Sequence, residues 1–157
     1  MMAERLEGKW IDLFAEVFSR CKVAPGDACA ILSESQSRAL NVQLAELALH
    51  RLGARVFHVV VPTPRQSAPV PIRSTGASVA LQGLAPAIQG LAASQFIVDC
   101  TLEGLMHAAE LPAVLAGGAR VLYVSNEHPD VLERLRPPPR TSRRCGRPCA
   151  CCAKRSA

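Results

Sequence analysis

Aromatic residues are scarce in this chain of 157 residues, with one Trp, one Tyr and four Phe. So few rings argue against a surface of stacking platforms for nucleic-acid bases. Long apolar runs are also missing. The best stretch, residues 77–93, is interrupted by Gln82, Gly83, Pro86, Gln89 and Gly90, so no membrane-spanning helix is expected. The N-terminus carries acids and lacks an apolar core of signal-peptide length, which points to a cytoplasmic protein. Neither G-x-G-x-x-G nor G-x-x-x-x-G-K-[ST] occurs, so dinucleotide and P-loop nucleotide binding lose their main support.

Acidic residues stop at Glu133. The thirteen acids share residues 1–135 with eleven Lys and Arg, a balance of 11 − 13 = −2, whereas residues 136–157 hold seven basic residues and no acid. The net charge of +5 therefore belongs to the C-terminal segment, and nucleic-acid binding is expected only through it, if at all. Cysteine divides in the same way. Cys21, Cys29 and Cys100 sit in apolar contexts and read as reduced core thiols, while Cys145, Cys149, Cys151 and Cys152 crowd the end. Those four lack the paired C-x-x-C knuckles of a zinc site.

Nearly half the residues are apolar, enough for one globular domain at this length. The organising stretch runs from Asp27 to Val61. Residues 27–33, introduced by the turn pair Pro25-Gly26, form a short apolar run suited to a buried strand. Leu40, Leu44, Leu47 and Ala48 recur at the spacing of one helix face, Gly53 ends that helix, and the β-branched run 55–61 stops at Pro62. Strand, helix and strand at these lengths make a βαβ crossover, the unit of a parallel sheet. Ahead of it, Trp10, Leu13, Phe14, Val17 and Phe18 predict an amphipathic helix over 9–21.

After it, residues 62–75 contain four prolines and no period, a long irregular connection. Residues 78–92 are expected to be helical, with Pro86 as a kink or break. Further strands are expected at 95–100 and 119–124, a helix over 102–115 between them, and another from His128. The fold class is thus α/β, a three-layer Rossmann-like sandwich with a parallel sheet of about four strands. Its expected extent is residues 9–135, between a short lead at 1–8 and an Arg/Pro/Cys tail at 136–157 that cannot bury enough apolar surface to order itself. So abrupt a change of composition is also what a GC-rich coding sequence yields when read out of frame.

In a parallel sheet, ligands bind beyond the carboxyl ends of the strands. Here those ends supply Ser33, Glu34 and Ser35, and then Asp99, Thr101 and Glu103. They are candidates for one wall of a substrate cleft. The alternative is structural, with Ser35 or Ser37 capping the next helix and Asp99 and Glu103 capping or facing solvent. His50, His58, His107 and His128 show no i, i+4 metal pair and no H-E-x-x-H, and His58, inside an apolar strand, reads as a core residue. No G-x-S-x-G elbow anchors a serine triad. No catalytic residue and no metal ligand is assigned.

The helix around Trp-Ile-Asp-Leu-Phe, Val-Ala-Pro-Gly-Asp before the first strand, Leu-Ala-Glu-Leu-Ala-Leu-His-Arg-Leu-Gly-Ala-Arg-Val before the second, and the run 99–103 followed by Gly-Gly-Ala-Arg-Val-Leu-Tyr-Val together resemble a known domain. It is the N-terminal domain of the 2,5-dihydroxypyridine 5,6-dioxygenases, bacterial non-haem iron enzymes of nicotinate degradation that are similar in fold to the aminopeptidase T (leucyl aminopeptidase) family. The resemblance covers residues 9–135. It implies Fe(II) for a full-length parent, held by a 2-His-1-carboxylate set in a C-terminal domain, since ring opening needs an iron with open positions for substrate and dioxygen. It therefore implies a truncated chain that binds no cofactor of its own and is inactive alone. Two other readings stay open: the N-terminal domain of a metal-dependent aminopeptidase-like hydrolase, and a stand-alone binding module with a basic, Cys-rich tail. A domain made to pack against another part should also show an apolar face and form homo-oligomers through it.

Overall fold

A computed structural model describes residues 5–65 and 75–134. The chain order is helix α1 (Gly8–Arg20), strand β1 (Ala28–Glu34), α2 (Ala39–Arg51), β2 (Arg55–Val61), α3 (Ala85–Ala92), β3 (Phe96–Cys100), α4 (Leu111–Leu115), β4 (Arg120–Tyr123) and α5 (Pro129–Arg134). The four strands form one parallel sheet in the order β2-β1-β3-β4. The expectations for residues 1–4, for most of the 62–75 connection and for residues 135–157 fall outside the described residues.

β1 is apolar throughout because it is central and covered on both faces. Cys29, Ala30, Ile31 and Leu32 are fully buried, and successive side chains alternate between two cores. Cys29 and Ile31, with Phe96 and Val98 of β3, face α1 and α2, which contribute Phe14, Phe18, Leu44 and Leu49. Ala30, Leu32 and Ile97 face the other way, under Leu91 of α3 and Val114 of α4. Three layers result. The aromatic face of α1 lies inward as its spacing predicts: Phe18 meets Phe14 and Phe96 edge-on, and Trp10 meets His128 with ring centroids 5.3 Å apart. The Trp10 indole N–H also donates to Glu133 at 3.2 Å, which pins α5 against α1.

Three expectations need correction. The helix expected over 78–92 begins only at Ala85, after turns at residues 80–83, and Pro86 sits in its first turn, where a missing N–H costs nothing. The helix expected over 102–115 shrinks to α4. Residues 101–110 are irregular: the Asp99 carboxylate folds the chain back onto itself through the N–H groups of Thr101 and Leu105, and Gly104 between them turns with φ +79°, which no α-helix accommodates. His107 therefore lies on a turn. Third, His58 is not a core residue: β2 is an edge strand, only its Val61 is buried, and His58 stands exposed with Nε2 3.4 Å from Glu46 of α2.

Candidate functional site

The chain runs outward from β1 to β2, then crosses back to β3 on the other side of β1 and outward again to β4. This reversal makes the carboxyl ends of β1 and β3 neighbours, with Leu32 opposite Asp99 and Ser33 opposite Cys100. Loops that leave such a pair diverge and open a crevice. The structure thus brings Ser33, Glu34, Ser35, Asp99, Thr101 and Glu103 to one edge of the sheet.

Hydrogen bonds define what each of them does there. Asp99 is fully buried; one carboxylate oxygen accepts from the Thr101 N–H at 3.0 Å and the Thr101 hydroxyl at 2.7 Å, the other from the Leu105 N–H at 2.8 Å. The Thr101 hydroxyl oxygen in turn accepts from the Gly104 N–H. This folds the post-β3 loop around one carboxylate. Gly104 has φ +79° and backs onto the Tyr123 ring, so close that an added Cβ would stand 3.1 Å from it. Only glycine combines that backbone with that neighbour.

Glu34, the last residue of β1, is also buried. Its Oε1 accepts from the Ser78 hydroxyl and from the Leu102 N–H, each at 3.3 Å. Ser37 neither caps α2 nor faces solvent: its hydroxyl donates to the Cys100 carbonyl at 2.6 Å and accepts from the Glu34 N–H at 2.8 Å. Ser35 accepts from the Thr63 N–H at 3.0 Å, and Thr63 accepts from the Gln36 N–H at 3.0 Å. Glu103 accepts from both the N–H and the hydroxyl of Thr75. Ser33 is buried within its strand.

The purely structural reading of these residues thus takes an unexpected form. The α2 N-cap, Arg38, makes no side-chain cap, and the serines and carboxylates instead join the loops after β1, β2 and β3 to one another. Thr63 and Ser78 are the participants that sequence reasoning missed. Nothing in the sequence signals them, because the partners they meet lie tens of residues away.

Burial pushes the Glu34 carboxyl above its ordinary range, against the opposing effect of its donors, and pushes Asp99 up in the same way. The Cys100 thiol beside them is buried and pushed up to about 12, which removes it as a nucleophile at neutral pH. Among the described residues no three His, Cys, Asp or Glu side chains come together to hold a metal ion. The six edge residues do not fit an iron site: the carboxylates of Asp99 and Glu34 are turned to backbone and hydroxyl donors, and no histidine gathers with them among the described residues.

A family model described as 2,5-dihydroxypyridine 5,6-dioxygenase matches residues 9–156. The chain belongs to that family. Among solved structures, the 2,5-dihydroxypyridine dioxygenase from Pseudomonas putida KT2440 is similar at 27% identity with a TM-score of 0.73, over 83% of this chain and 38% of that one. The chain therefore spans less than half the length of that dioxygenase. Weaker likenesses are an R195K variant of E. coli MenE (20% identity, 76% of this chain, 20% of that one, TM-score 0.38) and the N-terminal subdomain of Klebsiella oxytoca NpsA (16% identity, 73% of this chain, 25% of that one, TM-score 0.36). Scores this low bear on neither fold nor function. No curated protein matches. Family membership and the likeness to the Pseudomonas enzyme agree with the resemblance read from the residues and with the Rossmann-like parallel sheet.

Proposed function

We propose that this chain serves the ring cleavage of 2,5-dihydroxypyridine in the cytoplasm, by supplying one wall of the cleft in which the substrate is held. The observation that carries this reading is the family match over nearly the whole chain. The sheet edge gives it a location, since ligands of parallel sheets collect where strand order reverses. The edge residues would act through shape: Asp99 and Glu34 hold the loop backbones in place, and the half-buried or exposed positions around Glu103 and His107 form the rim. Fe(II), where a complete enzyme holds it, would supply the redox chemistry of the ring cleavage. No group of the described residues fits that ion, so its ligands would come from elsewhere in a complete enzyme, and the chain alone does not turn over.

Amide chemical shifts test the location. On titrating the purified chain with 2,5-dihydroxypyridine, saturable shifts are expected at residues 33–37 and 99–107. Saturable shifts confined to the other end of the sheet, or none at all, would remove the cleft assignment. Oxygen uptake with Fe(II) and the same substrate is expected to stay at the level of free iron. Uptake that scales with the chain would show that it holds iron after all.

A further inference from the structure

We infer that Glu34 is a positioning residue, whose carboxylate fixes the segments that follow β2 and β3 against the end of β1 and thereby sets the shape of the cleft wall. The inference deepens the proposed function and rests on it for the purpose of the wall, though not for the wall's construction. Along β1 the face that carries Ala30 and Leu32 continues to Glu34, and the two earlier residues lie in an apolar core. Hydrophobic packing alone would be served by an aliphatic side chain at the third position. A carboxylate there is costly unless its oxygens are occupied.

Here Oε1 is occupied by groups from two separate places, Ser78 from the far side of the long connection and Leu102 from the post-β3 loop. The two segments are already zipped together, through Gly76 N–H to the Glu103 carbonyl at 2.6 Å and Ser78 N–H to the Gly104 carbonyl at 2.9 Å. Asp99 shapes the post-β3 loop from within, but it bonds nothing in residues 75–78. Asp99 of β3 and the Tyr123 hydroxyl of β4 hold the post-β3 loop to their own strands, and Glu34 ties the paired unit to the end of β1. Without its carboxylate the unit keeps its internal bonds and loses that tie to β1.

Amide hydrogen exchange on the full chain, comparing wild type with Glu34→Ala and Glu34→Gln, tests this. In Glu34→Ala the amide of Leu102, which loses its acceptor, should exchange about tenfold faster, the factor that one hydrogen bond to a charged group supplies, while those of Gly104 and Ser78, bonded within the unit, and of Ile97 and Val98 inside β3 keep their protection. Glu34→Gln, whose side-chain carbonyl oxygen still accepts, should restore rates to within about twofold of wild type. If Glu34→Ala does not fold, Ser78→Ala, which removes one of the two donors to that oxygen and also frees the Ala80 N–H, should show the same effect at Leu102 in weaker form. Unchanged exchange at Leu102, or equal acceleration across the whole sheet in both Glu34 variants, would overturn the inference. Titration with 2,5-dihydroxypyridine separates it from the reading on which it rests. Local loosening in Glu34→Ala, with no ligand-induced shift in wild type, would leave the positioning role standing and sink the proposed function; ligand shifts lost in Glu34→Ala and kept in Glu34→Gln would support both.

Discussion

Two side chains show how much single residues decide here. Arg120, at the start of β4, donates to the carbonyls of Cys21 and Lys22 at 2.5 and 2.7 Å, to the Gln95 carbonyl at 3.2 Å, and pairs with Asp27 at 3.3 Å. It closes the amino end of the sheet, where Lys22 turns with φ +62°. Arg120→Ala strands the half-buried Cys21 carbonyl and removes the pairing with Asp27, and should cost about 1–2 kcal/mol in denaturant unfolding; a loss below a few tenths would show that water replaces it freely. Glu34 acts at the opposite end. Its folded-state carboxyl lies above the ordinary value of 4.5, so between those two values the folded form binds more protons than the unfolded one. Stability from this group is therefore greatest in acid and falls as pH rises through that window. Unfolding free energies of wild type and Glu34→Gln, measured from pH 4 upward, should show the wild type losing ground relative to the variant; a wild type that gains ground would reverse the assignment.

At the scale of elements, the clearest weak point is the junction of α3 and α4. Gly117, just past α4, lies so near α3 that an added Cβ would fall 2.0 Å from the Ala92 carbonyl oxygen. Gly117→Ala must push the two helices apart and should cost about 2–3 kcal/mol, read as a fall in melting temperature; an unchanged melting temperature would mean the helices slide without penalty. The same pair marks where legibility ended. α1, β1, α2 and β2 follow from apolar spacing because packing and local preference agree in them. α3 and α4 do not, since Ala and Leu predict helix over 78–84 and 102–110 where side chains have claimed the backbone. That the ends of β1 and β3 would carry the polar groups was legible from strand boundaries. Their roles were not, because the donors that define Glu34 and Ser35 sit on segments whose approach only the tertiary fold reveals.

At the scale of the molecule, β2 forms an apolar edge among the described residues. β2 shows Phe57 at 39% and Val60 at 66% exposure, and Leu47 of α2 is exposed at 40%. An apolar edge strand of this kind invites pairing. Light scattering should report concentration-dependent association, and Val60→Lys, which puts a charge on that edge, should reduce it severalfold; a monodisperse monomer at high concentration would show that the edge is harmless. No helix among the described residues is long and apolar enough to cross a membrane.

The bonds at Glu34 span 44 and 68 residues of chain, and this separation has a kinetic meaning. The bond to Leu102 spans as much chain as the β1–β3 pairing beside it, and it closes only once that pairing has set the strand ends side by side, on the native side of the folding barrier. Removing the bonds at Glu34 should leave the refolding limb of a chevron plot almost untouched and steepen nothing there, while unfolding accelerates. Stopped-flow mixing of Glu34→Ala is expected to show that asymmetry, the mark of loops that join the sheet late and leave it early.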